Sequence, residues 1–263
     1  DDQNGSAAHM PTTDRATLAG NTIIVDSINS TVTLTGNETV GSLRIDATSG
    51  LTLTGATLTL NGSTNAYNIT GASDVSGTVS GTGTLNVTGN TTTVGATGDV
   101  QTATTVGAAG APANNGTMAG VTNAGTTTNN LTMGAVGNSG TFTNTGSAGA
   151  LTNTGAGGGT NSGTLASLAQ NSTGIFANTG IVSGATSVSA GTLNLNAGSN
   201  LSDAAALTVT GGTVNVNTAE TVGSLVANGG TTNVNATLTA GALSGTAGSI
   251  VTTTSAPCTA AWA

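Results

Sequence analysis

Apart from hydroxyls, the side chains able to do acid-base, nucleophilic or metal chemistry in this chain are few enough to name in full: ten carboxylates, two arginines, one histidine and one cysteine. The carboxylates are Asp1, Asp2, Asp14, Asp26, Glu38, Asp46, Asp74, Asp99, Asp203 and Glu220. Glycoside hydrolysis needs two of them brought together across one substrate. Asp26 and Asp46, at two strand ends twenty residues apart, are the pair whose spacing suits that. A solvated or turn-capping Asp is nevertheless the favoured reading at both positions. Lyase chemistry on a polysaccharide needs a base such as Lys or Arg; there is no Lys, and the arginines are Arg15 and Arg44. His9 is the sole histidine and precedes the patterned part of the chain, so a His-based triad or a multi-His metal site is not expected. Cys258 has no intrachain partner and is a candidate for a crosslink between chains.

Glycine-rich ligand loops are present only in outline. Gly157-Gly158-Gly159 runs into Thr160-Asn161 with no carboxylate nearby, unlike a calcium-binding Gly-Gly-X-Gly-X-Asp repeat. Gly81-Thr82-Gly83 lacks the Lys and the helix of a phosphate loop. Asn37, Asn68, Asn86 and Asn235 are among the residues that begin glycosylation sequons, as chance allows in a chain rich in Asn and Thr. The expectation is therefore a non-enzymatic protein with no catalytic, cofactor-binding or metal-binding residues and no cofactor.

Charge narrows the partners further. A formal net charge of -8 with no basic patch excludes nucleic acid, because phosphate neutralisation needs several cationic side chains. Anionic membrane surfaces are disfavoured for the same reason, and no apolar run approaches the ~20 residues of a spanning helix. Aromatic residues are 2% of the chain, which predicts a thin core of Ala, Val, Leu and Ile. Disorder is the competing reading of 42 glycines, but 5% charged residues, three prolines and alternating β-branched runs argue for order.

The elements that must carry these residues are short strands. Residues 1–20 are polar and without alternation, a tail or lead-in; both a mature terminus at Asp1-Asp2-Gln3-Asn4 and a cloning remnant at Gly5-Ser6-Ala7-Ala8-His9-Met10 fit them. From Thr22 onward, runs such as Thr31-Val32-Thr33-Leu34 and Leu51-Thr52-Leu53-Thr54 alternate and end in Gly, Asn or Asp. Gly191-Thr192-Leu193-Asn194-Leu195-Asn196 returns at Gly212 and, less closely, at Gly230, at steps of 21 and 18 residues. Leu193 and Leu195 are expected inward, with Thr192, Asn194 and Asn196 outward. Recurrence at that interval predicts an all-β fold, a parallel β-helix (β-solenoid) of about ten to twelve coils over residues 21–250. A β-sandwich, the alternative, asks for longer strands and larger inward side chains.

Within residues 100–190, the Gly- and Asn-rich part, a second motif takes over and predicts a narrower or less regular coil. Asn-X-Gly triplets start at 123, 138 and 153, steps of 15, and at 144, 161 and 178, steps of 17. Stacked at those steps, the Asn side chains are expected to form amide ladders along a corner. Residues 251–263 break the pattern and are expected to be a cap or tail.

Glu38-Thr39-Val40-Gly41-Ser42-Leu43 recurs unchanged as Glu220-Thr221-Val222-Gly223-Ser224-Leu225. With the Gly-Thr-Leu-Asn-Leu-Asn strands, it resembles the repeats of bacterial autotransporter passengers, and the Asn-Ser-Gly-Thr pieces resemble the turn repeats of filamentous-haemagglutinin-like proteins. The resemblance implies a secreted or bacterial cell-surface location. The expected function is a stiff β-solenoid that self-associates end to end or laterally into a fibre, because its nearly uncharged strands lack the Lys that blunts sheet edges, or that forms the stalk of an adhesin. Its partners would be copies of itself and, for a passenger, a host surface or glycans, with no membrane insertion. The chain departs from the passenger pattern in its short length and in lacking a C-terminal membrane-barrel segment, which leaves both a fragment and a self-contained unit open. The alternative function is a binding module, either a host- or glycan-binding passenger or an ice-binding face built on Thr-X-Thr tracts.

Overall fold

The computed structural model describes residues 22–25, 31–45, 50–61, 67–246, 250–253 and 258–262, the first and the last two of these segments as backbone. The described residues form 34 strands and no helix. Most strands are two to five residues long, and each pairs in parallel with strands one turn of chain before and after it. The chain is an all-β parallel β-solenoid of about eleven turns. It divides into two compact units, residues 1–134 and 135–263.

Period-two alternation decides which side chains enter the core. In strand Thr192–Leu195, Leu193 and Leu195 are buried while Thr192 and Asn194 are half-buried on the outside, as the repeat predicts. Parallel register then stacks like on like. In the first unit one inward column runs Leu34, Leu53, Val75, Val94. A second runs Ile45, Ile69, Val87, Val106, and a third Leu58, Val79, Val100, Met118, Met133. Each buried aliphatic side chain contributes about 1.5–3 kcal/mol to holding its turn against its neighbours.

Three large aromatics are fully buried: Tyr67, Phe142 and Phe176. Tyr67 reaches Val40 O with its hydroxyl at 3.4 Å. Phe142, Gly159, Phe176 and Leu193 follow one another in a single register column, so a glycine lies between two phenylalanines. Gly159 has φ +141, and a Cβ there would strike the carbonyl of Phe142. No other residue fits both the backbone and the space.

Turn length varies along the chain. In the first unit, partners such as Thr59 and Ser80 are 21 residues apart, whereas Asn114 and Asn129 are 15 apart. In the second, Asn144 and Asn161 are 17 apart and Asn194 and Asn215 are 21 apart. The parallel ladder continues through Ile250–Thr253, paired with Thr231–Val234, and Cys258–Trp262, paired with Leu238–Gly245. Backbone pairing of the solenoid type thus extends into residues 251–263. Residues 1–20 lie outside the described part, as does the side chain of Cys258 on which a crosslink would depend.

Candidate functional site

The carboxylates that could pair for catalysis are only partly within view. Asp1, Asp2, Asp14, Asp26, Asp46 and His9 lie outside the described residues, and with them the Asp26 and Asp46 pairing. Of the rest, Asp74 accepts from Ser76 Oγ at 2.6 Å and Asp99 accepts from Gln101 Nε2 at 2.7 Å, both pairs two residues apart on the outside of one strand or its edge. Asp203 is exposed in a turn, and Arg44 is exposed on strand Ser42–Ile45. Among the described residues no group of three or more His, Cys, Asp or Glu side chains is positioned to hold a metal ion.

Glu220 is the most deeply buried of the described carboxylates, being 4% accessible. Its Oε2 accepts from the backbone N–H of Leu201 at 3.0 Å, so the carboxylate substitutes for a missing strand carbonyl, while Oε1 has no partner. Glu38, at the same position of the other hexapeptide copy, also has one unpartnered buried oxygen. The shared hexapeptide places a carboxylate at the same point of two turns, and Glu220 there caps the strand of Leu201.

The dominant polar feature is a set of amide columns inside the solenoid. In the first unit the aliphatic column Leu34, Leu53, Val75, Val94 changes to Asn114 and Asn129. Asn114 Nδ2 donates to Asn129 Oδ1 at 2.7 Å. In the second unit Asn144 donates to Asn161 and Asn161 to Asn178, both at 2.7 Å. The next residue of that column is Leu195, then Val216 and Val234. A parallel column runs Asn138, Asn153, Gln170, with donor distances of 2.8 and 2.7 Å, and then becomes Val188 and Val209. Every one of these amides is 0% exposed.

Asn close to Leu in size fits the column, and burying it is tolerable only because both ends of the amide are satisfied. The second use of Nδ2 explains the Asn-X-Gly motif. Asn138, Asn144 and Asn178 each donate to the carbonyl of the Gly two residues on, at 3.1, 3.1 and 2.9 Å. The side chain thereby ties the corner of its own turn while pairing with the next. Amide columns coincide with the 15- and 17-residue turns, where few residues remain to round the corner. Aliphatic columns resume where the turn lengthens.

Each second-unit column is closed at its end. Asn178 meets Leu195, which cannot accept, and turns instead to Ser199 Oγ at 2.9 Å. Gln170 meets Val188 and donates to Ser172 Oγ at 2.8 Å and Gly174 O at 3.0 Å. Without these caps an N–H of the last amide would be buried with no acceptor, at about 1–3 kcal/mol.

A second set of ladders lies on the outside. Asn215 donates to Asn194 at 2.7 Å and Asn233 to Asn215 at 2.8 Å; alongside, Asn217 donates to Asn196 at 3.0 Å and Asn235 to Asn217 at 2.8 Å. Thr192, Thr213 and Thr231 form the adjoining row. The inner donors point toward the C-terminal turn and the outer donors toward the N-terminal turn. The Asn-X-Gly spacing foretold Asn138, Asn144, Asn153, Asn161 and Asn178, and Asn123, first of the 15-residue series, is buried and donates to Gly125 O at 3.2 Å. It missed Gln170 and Ser199, whose only signal is their place one turn further along, and Asn129, which lacks the glycine.

Short parallel strands, stacked inward columns and amide ladders define the chain as a β-solenoid repeat protein. Compared with family models, with curated proteins and with solved structures, it gives no match.

Proposed function

We propose that the chain is a non-enzymatic secreted structural protein, a stiff extracellular β-solenoid that self-associates into a fibre or forms the stalk of a bacterial surface adhesin. The observation that carries this reading is the use made of the polar side chains. The buried amides are turned inward and bond one another, and the outward rows of unit two are uncharged Thr and Asn, the Asn bonded turn to turn. Side chains so engaged hold adjacent turns together in addition to the backbone ladder, which favours a mechanical role over a chemical one. The recurrent hexapeptide and its resemblance to passenger repeats support the cell-surface setting. Parallel strands of matched spacing with few charges are also the surfaces on which like chains associate.

Electron microscopy and sedimentation of the purified chain over a range of concentration test the self-associating form. Fibres or concentration-dependent oligomers are expected; discrete monomers at the highest concentration would refute it and leave the stalk. A binding face is a second reading, favoured by the array Thr192, Thr213, Thr231 beside the two outer Asn rows. Thermal hysteresis or a glycan-array signal lost on replacing Thr213 by Ala would establish it.

A further inference from the structure

Two Asn-Gly pairs lie wholly within the described residues, Asn115-Gly116 and Asn228-Gly229, and the fold treats them differently. Asn-Gly is the dipeptide in which a backbone nitrogen has the freest approach to the preceding side-chain amide, because glycine has no Cβ in the way. At Asn115 that approach is obstructed twice. The Gly116 N–H donates to Asn114 Oδ1 at 3.1 Å, which ties up the nucleophilic nitrogen. The Asn115 Oδ1 accepts from Asn130 Nδ2 at 2.8 Å, which holds the side chain along the solenoid and away from its own backbone.

Asn228 has neither restraint. It follows strand Ser224–Ala227 in an exposed bend, and its side chain hydrogen-bonds to no described residue. Its backbone N–H is anchored to Val209 O at 2.8 Å, but the N–H of Gly229 is not engaged. Gly230 follows at φ +66, a conformation that lets the chain turn sharply into strand Thr231–Val234.

We propose that Asn228 is a self-modification site, deamidating in the folded protein while Asn115 is protected. The Gly229 nitrogen attacks Asn228 Cγ, a new C–N bond closes a five-membered succinimide, the Gly229 proton leaves with the departing amide nitrogen, and ammonia is released. One water then opens the ring at either carbonyl to give aspartate or isoaspartate, with no oxidant or cofactor. The product adds one negative charge to a chain whose formal charge is -8. That charge stands at the corner leading into Thr231, Asn233 and Asn235, members of the uncharged outer rows. The site thus records the age of the molecule as a charge at the edge of its most regular face.

The test is timed incubation of the folded chain in mildly alkaline buffer at body temperature, beside the same chain in urea. Cleavage after Glu38 and Glu220 and at Met118 separates the two pairs into fragments 39–118 and 221–263, which tandem mass spectrometry and isoaspartyl methylation then read. In the folded protein, conversion at Asn228 is expected to be about tenfold faster than at Asn115, whose hydrogen bonds must break first. In urea the two rates are expected to converge, and Asn228→Gln abolishes the signal at that position alone. Equal rates in the folded state, a faster Asn115, or an Asn228 that stays an amide while the unfolded chain reacts would each overturn the proposal.

Discussion

Replacing Asn161 by Ala separates the inner amide columns from the outer ones as sources of stability. Asn161 accepts from Asn144 and donates to Asn178, to Gly163 O and to Ile181 O, all in a place with no exposure. After truncation Asn144 Nδ2 keeps Gly146 O and Thr164 O, and Asn178 Nδ2 keeps Gly180 O and Ser199 Oγ. Asn178 Oδ1, however, loses the Asn161 donor and stays buried, at about 1–3 kcal/mol for an orphaned polar group. Loss of the ladder bonds themselves and a small cavity bring the expected cost to about 3–4 kcal/mol. Asn215→Ala also removes two ladder bonds, to Asn194 and Asn233, but on the outside where water replaces them, and about 0.5–1 kcal/mol is expected. Urea unfolding followed by circular dichroism gives both values from midpoints at unchanged slope, for the transition of the second unit. Equal costs for the two variants would refute the reasoning, because the difference rests wholly on burial. A further check is Asn161→Leu combined with Asn178→Leu. Removing both partners is expected to cost less than the sum of the single changes.

Two other perturbations follow from the packing. Thr104, Thr186 and Thr232 stand in inward aliphatic columns with their hydroxyls buried and unpartnered, so Thr→Val at each is expected to stabilise by about 1 kcal/mol, seen as a higher urea midpoint. Destabilisation at all three would show that those hydroxyls have partners. Gly159→Ala is expected to abolish folding of the second unit or cost more than about 4 kcal/mol, since it combines a forbidden φ with a backbone clash. Gly137→Ala, with open space at its Cβ, is the control and is expected to change stability by less than about 1 kcal/mol.

How much of this was legible beforehand depends on the range of the interaction. Leu193 and Leu195 inward and Asn194 outward follow from period two, a property of the strand alone. The Asn-X-Gly corner is equally local, since the amide bonds its own turn two residues on. A regular step between like triplets even pointed to the partners Asn144, Asn161 and Asn178.

What sits above what is another matter. Asn153 stacks on Gln170, Asn178 on Leu195, and Phe142 on a glycine. These pairings depend on the residues taken by each turn, which range from 15 to 21 among the amide pairs, and a loop one residue longer would shift every later partner. The stacked Asn residues stand at the corners, as expected, and are in addition turned into the core, at no exposure. Burial of that kind is decided by how tightly neighbouring turns close around the side chain. The sequence by itself determined the strands, their inner and outer faces, and the repeat. Only the tertiary structure decided the columns, because a column exists only between turns.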